Sequence, residues 1–147
     1  MIRIAPLLVA ALMAGLVAFP FVRNLMTDEQ GIPGARIGGH FTLQTAGGAL
    51  DTSTLDTDLI LIYFGFTYCP DVCPTELARM AQVVEGLGGD SRKVSGLFVT
   101  IDPERDTAEA VAEYAAVFHS TFTGLSGDVK SIQAVMRRYQ VYAQKVG

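Results

Sequence analysis

Several things are scarce in this chain, and each scarcity excludes something. It has no run of lysine and arginine, and acidic residues outnumber basic ones 15 to 11, a formal net charge of −4. That leaves no electrostatic footprint for nucleic acid. It has no low-complexity tract and no internal repeat. Cysteine is limited to Cys69 and Cys73, so at most one disulfide forms, and the redox compartment must be argued from the N-terminus. Histidine is limited to His40 and His119. Charge is missing altogether from Ile4 to Val22. At about 1.5 Å per helical residue that stretch spans roughly 28 Å, close to a hydrocarbon core of ~30 Å.

The apolar stretch predicts a membrane anchor over residues 1–23, flanked by Arg3 and Arg23, with Pro6 and Pro20 near its ends where a helix tolerates them. A cleaved secretory signal is the rival, but no small-x-small cleavage site follows. Arg3 and the terminal amine favour a cytoplasmic start and Arg23 opposes it, while Asp28 and Glu29 weigh little. The expectation is an exported C-terminal domain. There is no room ahead of the anchor for an arginine- and serine-rich transit peptide, which points to the bacterial inner membrane, single-pass, with the domain facing the periplasm or cell exterior. Residues 24–36 then read as a linker. The glycines and proline around Thr27 to Gly39 carry no apolar periodicity, and such a tether lets a domain stand off the membrane.

The remainder, 37–147, has the length of one domain. Phe41 to Gln44 reads as a short strand, with Gly47 and Gly48 turning into another near Leu50. Leu59 to Phe66 is apolar at almost every position, which predicts a central, parallel strand buried on both faces. Pro74 opens an amphipathic helix with Leu77, Met80, Val84 and Leu87 on one face, ended by Gly86, Gly88 and Gly89. Ser95 to Ile101 is the next strand. Asp106 reads as the N-cap of a following helix, with Glu109 reciprocal to it and Val111, Tyr114, Ala115 and Phe118 facing inward. Asp128 caps a last helix with Val129, Ile132, Val135, Met136 and Tyr139 on its apolar face, and Arg137 and Arg138 suit its C-terminal dipole. Val141 to Ala143 begins a further strand. Strand–helix alternation of this kind predicts an α/β layer fold.

Cys69 and Cys73 therefore fall where a strand hands over to a helix N-terminus. Partial positive charge and free N–H groups there favour an anion. The thiolate they stabilise is both nucleophile and metal ligand, and thiolates select copper(I), zinc or iron–sulfur clusters. Inert buried cysteines or a small structural disulfide are the plain alternatives. A metal or redox role requires the sulfurs to lie together and not to turn into the core away from solvent.

The stretch Tyr63-Phe-Gly-Phe-Thr-Tyr-Cys-Pro-Asp-Val-Cys-Pro-Thr-Glu-Leu77 closely resembles the signature of the Sco/SenC family. Val99-Thr-Ile-Asp-Pro-Glu-Arg-Asp-Thr107 and Phe122-Thr-Gly-Leu-Ser-Gly127 resemble two further blocks of it, and the likeness runs from about Ile37 to the end. The resemblance implies a thioredoxin-like three-layer α/β sandwich with a mostly parallel central sheet, preceded by one transmembrane helix. It implies a copper chaperone for the copper centre of cytochrome c oxidase. Cys69 and Cys73 would be the metal ligands, and the partner an oxidase copper-bearing subunit or another copper chaperone. Asp102 and Asp106 would lie near the copper, although a turn residue and a helix cap account for them equally. His40 and His119 do not occupy the family's ligand position. That histidine, and the C-terminal hairpin and helix around it, would lie past Gly147, so the chain reads as a fragment or a truncated frame. Two thiolates then favour copper(I), with copper(II) held weakly. The alternative is a membrane-anchored thiol–disulfide oxidoreductase in which Cys69 attacks and Cys73 resolves. The three residues between the cysteines, rather than the two usual in general reductases, lean toward ligation. A thioredoxin-like peroxidase would place a single attacking cysteine in another local pattern.

Overall fold

The computed structural model describes residues 37–88 and 93–144. The expected anchor, its rival signal, most of the linker and Gly89 lie outside the described residues. Among the described residues no helix is long and apolar enough to cross a membrane.

The chain opens with an antiparallel hairpin, β1 (Thr42–Thr45) and β2 (Gly48–Asp51). Three parallel strands follow, β3 (Leu59–Gly65), β4 (Val94–Thr100) and β5 (Phe122–Leu125), side by side in the order β3-β4-β5. Helix α1 (Val72–Gly86) connects β3 to β4, and α2 (Ala108–Phe118) connects β4 to β5. Helix α3 (Val129–Arg138) closes the described fold. The hairpin joins the sheet by a bridge between Gln44 and Ser126, whose amides and carbonyls pair at 2.8 and 2.9 Å.

Alternation along β4 builds the layers. Phe98 faces a core made with Leu77 and Val84 of α1 and Val111 and Ala115 of α2. Leu97 and Val99 face the opposite core, made with Leu43 of the hairpin, Leu125 of β5 and Ile132 of α3. Side chains alternate across a strand, so each apolar residue of β4 finds one of these two covers. Gly124 lets α2 lie directly on β5, since a Cβ there would come within 2.2 Å of the Val111 carbonyl oxygen.

The structure revises four expectations. First, among the described residues the strand with a partner on both sides is β4, and β3 lies at the edge. Among the described residues β3 is bonded to β4 alone, only Gly65 of it is fully buried, and Leu59 is 50% exposed. A continuous apolar run marks a strand that touches apolar neighbours; it does not say how many sides carry a partner strand. Second, Asp106 is not the cap of α2. Thr107 is, its hydroxyl accepting from the Ala110 amide at 3.2 Å. Third, Leu87 and Val129 are exposed rather than on the buried stripes, because each stands at a helix terminus beyond the covering sheet. Fourth, Val141 to Ala143 is not a strand. Helix α3 ends in a Schellman turn: the Val141 amide bonds the Met136 carbonyl at 2.8 Å and the Gln140 amide bonds Arg137 at 3.2 Å, with Gln140 at φ 55°. Asp128 does cap α3, its carboxylate accepting from the Ser131 amide and hydroxyl at 2.9 Å each.

Candidate metal centre

Strand β3 ends at Gly65, and α1 begins at Val72, with six residues between them. Pro74 falls in the first turn as its chemistry requires, but the helix starts at Val72, so Cys73 is already inside it. Its N-cap, Asp71, makes no side-chain capping bond. Cys69 takes that role. Its sulfur accepts the Cys73 amide at 3.4 Å, and the Asp71 and Val72 amides point at it as well. A helix start leaves these N–H groups without intrahelical partners, and Pro74 has none to offer. The sulfur is thus the acceptor that the helix terminus lacks.

This geometry separates the two thiols electrically. Burial by itself raises the Cys69 pKa, but the bond with the Cys73 thiol and the amides of Cys73, Asp71 and Val72 outweigh it, and the net shift is downward. The Cys73 pKa is pushed up, by burial first and then by its bond with Cys69. Tyr63 lies within hydrogen-bonding reach of the Cys73 sulfur, and its own pKa is raised by burial and by that contact. Both cysteines are free. They lie together, as a metal or redox role requires. Both are nevertheless buried, Cys69 at 9% and Cys73 at 3% exposure, so of the two requirements the closeness is met and open access to solvent is not.

Gly65 makes room for this arrangement. A Cβ at Gly65 would stand 3.0 Å from the Cys73 sulfur and 2.9 Å from the rings of Tyr63 and Phe98. Neither Gly65 nor Tyr63 stands out from sequence periodicity. Both lie inside the long motif, and that is the signal that could have found them.

The second block reaches the first through its two aspartates. Asp106 is fully buried. Its carboxylate accepts from the Thr67 amide at 3.0 Å, the Thr67 hydroxyl at 2.5 Å and the Thr100 hydroxyl at 2.7 Å. Asp102 pairs with Arg105, whose guanidinium carbon stands 5.3 Å over the exposed Tyr68 ring. Thr67 and Thr100 lie inside the first and second blocks, but no local pattern pairs either with Asp106. Thr67 lies 39 positions from its carboxylate.

Neither histidine joins the pair. His119 caps α2 at the opposite end of the sheet, where its Nδ1 meets the Thr121 hydroxyl at 2.8 Å and its ring packs on Phe122. His40 precedes β1, and its carbonyl accepts from the Arg138 guanidinium. Among the described residues no group of three or more His, Cys, Asp and Glu converges to hold a metal ion. Two thiolates side by side are soft ligands of the kind that select copper(I), zinc or iron–sulfur clusters.

Comparison with known proteins bears on the family. The SCO1/SenC family model matches residues 29–147. A SCO2-like protein of Rickettsia conorii is 37% identical over 149 residues, covering 95% of this chain and 73% of the relative. The human mitochondrial protein SCO1 homolog is 45% identical over 112 residues, 72% of this chain and 36% of that protein. Among solved structures, Bradyrhizobium japonicum ScoI with copper bound superposes with a TM-score of 0.69 at 42% identity, over 76% of this chain and 71% of that one. Yeast Sco1 with copper bound gives 0.66 at 31% identity, over 74% and 70%.

Proposed function

Because the chain belongs to the SCO1/SenC family, we propose that it is a copper chaperone that takes up copper(I) on Cys69 and Cys73 for assembly of the copper centre of cytochrome c oxidase. The observation that carries this reading is the Cys69 sulfur seated among the amides of a helix N-terminus, with a second thiol beside it. The copper-bound relatives support it.

The residues divide the work. The helix amides lower the Cys69 pKa, so the first ligand loses its proton more readily than an ordinary thiol. Cys73 gives up its proton on binding, which makes uptake depend on pH. Copper(I) accepts low coordination and softness matches it to sulfur. With neither His40 nor His119 beside the pair, copper(II) is bound weakly. Asp102 and Asp106 act behind the ligands and do not touch the metal. Residues 1–23 would anchor the chain in the bacterial inner membrane, 24–36 would tether the domain, and 37–147 would face the periplasm. There the recipient would be an oxidase copper-bearing subunit or another copper chaperone.

The test is copper(I) stoichiometry of the reduced chain, by competition with a chromogenic copper(I) chelator. One copper per chain is expected, lost in Cys69→Ser and in Cys73→Ser. Tight, near-stoichiometric copper(II) binding would contradict the two-sulfur site. One observation favours a second reading: a thiol with its pKa shifted down beside one with its pKa shifted up is also the order of attacking and resolving cysteines in a disulfide reductase. Fast catalytic reduction of a model disulfide, without copper uptake, would replace the chaperone with that enzyme.

A further inference from the structure

The Asp106 carboxylate bonds two parts of the molecule, the end of a strand and the cysteine loop. Thr100 ends the central strand, and the Asp106 carbonyl accepts from the Ser126 hydroxyl at 2.6 Å just past β5. That side is sheet. Thr67 lies on the loop two residues before Cys69, and both its amide and its hydroxyl bond the carboxylate. Hydrogen bonds to an ionised acceptor are the strong ones, and a buried carboxylate stripped of them is costly. The loop cannot shift without breaking them.

The two cysteines differ in the same way. Cys73 sits in α1 with its sulfur close under Gly65, so it has little room. Cys69 rides on the loop, its sulfur occupied by the Cys73 amide. A disulfide requires the sulfurs at about 2.05 Å with a fixed dihedral. Cys69 is the one that must move, out of its amide donors and against the pull of Thr67.

We propose that Asp106 is a positioning residue that acts through Thr67 to hold Cys69 in its dithiol geometry, biasing the pair toward the reduced form. That this form is the copper-loading one rests on the function proposed above. The bias itself does not.

Thr67→Val and Thr100→Val each remove one hydroxyl from the same carboxylate. Thr100→Val also removes the acceptor of the Asp102 amide, a 3.0 Å bond, so a merely structural effect would be the larger there. The readout is the equilibrium of the full chain with glutathione. Forming the Cys69–Cys73 bond reduces one glutathione disulfide to two glutathiones, with both thiol protons passing to them. Losing one bond to a charged acceptor in the dithiol form alone should move this constant toward disulfide roughly tenfold in Thr67→Val. Thr100→Val, and the hydroxyl-retaining Thr67→Ser, should stay within about twofold of wild type. Equal shifts in the two valine variants, no shift in Thr67→Val, or a shift toward dithiol would overturn the proposal. Should Thr67→Val not fold, hydrogen exchange on the wild-type chain decides. The Thr67 amide should be protected in the dithiol form and lose protection in the disulfide form, and equal protection in both overturns the proposal. Wild-type chain that shows this redox pattern but takes up no copper(I) would sink the copper reading and leave the positioning role standing.

Discussion

Cys69 performs two jobs with one atom, since its sulfur is both a helix cap and a candidate ligand. The amides that satisfy the helix also hold the sulfur's charge, and this separates it from Cys73. The shifts predict an order of reaction. Thiolate is the reactive form, so alkylation of Cys69 should rise at a pH below that of an ordinary thiol, and alkylation of Cys73 only above it. Mass-resolved labelling of the reduced chain across pH measures this, and coincident profiles for the two cysteines would contradict it. Gly65 sets a second residue-scale limit. Gly65→Ala must push a Cβ into the Cys73 sulfur and two rings. Overpacking of this kind costs about 1–3 kcal/mol, read as a lower urea midpoint. Because the displaced atom is a proposed ligand, copper(I) affinity should fall with it. A variant that lost stability but kept its affinity would show that Cys73 has room after all.

At the scale of elements, most boundaries follow local rules. Helix α3 begins at a side-chain cap that the sequence advertises, Asp128 followed by Ser131. Its end is not advertised. A Schellman turn wants glycine at the left-handed position, and here Gln140 fills it at φ 55°. A Cβ in that conformation costs about 1–2 kcal/mol. Gln140→Gly removes that strain and adds unfolded-chain freedom that offsets part of it, so the net gain should be about 0.5–1 kcal/mol, measured by urea unfolding. A loss of stability would mean that the Gln140 side chain holds the turn by contacts of its own. The cap of α2 illustrates the converse. Asp106 and Thr107 are neighbours, both competent caps by residue type, and local pattern does not choose between them. Burial does: Asp106 is drawn beneath the cysteine loop by Thr67 and Thr100, which leaves Thr107 free to cap.

Over the whole domain, the site lies at the C-terminal end of the parallel strands, where β3 and β4 hand over to the loops bearing Cys69 and Asp106. The two loops are joined by the buried Asp106 bonds and by Arg105 over Tyr68. Copper bound there couples to the stability of the entire fold. A ligand that binds only the native state at a hundred times its Kd adds about 2.7 kcal/mol. Copper(I) should therefore raise the thermal midpoint of the reduced chain, and should leave that of Cys69→Ser/Cys73→Ser unchanged. An equal rise in the double variant would place the metal elsewhere.

The amino-acid order alone determined the helices, the strands β3 and β4, the two-thiol corner and the family, because each rests on periodicity, a cap or a contiguous motif, and those are properties of neighbours in the chain; β5, four residues inside a quoted block, carried no strand pattern of its own. Tertiary structure alone decided which of the described strands has a partner on both sides, which residue caps α2, and that a buried carboxylate ties the cysteine loop to the sheet. Those outcomes depend on groups such as Thr67 and Asp106, 39 positions apart, which meet only once β3 and β4 lie side by side. Their energies come from burial and partners that no local pattern encodes.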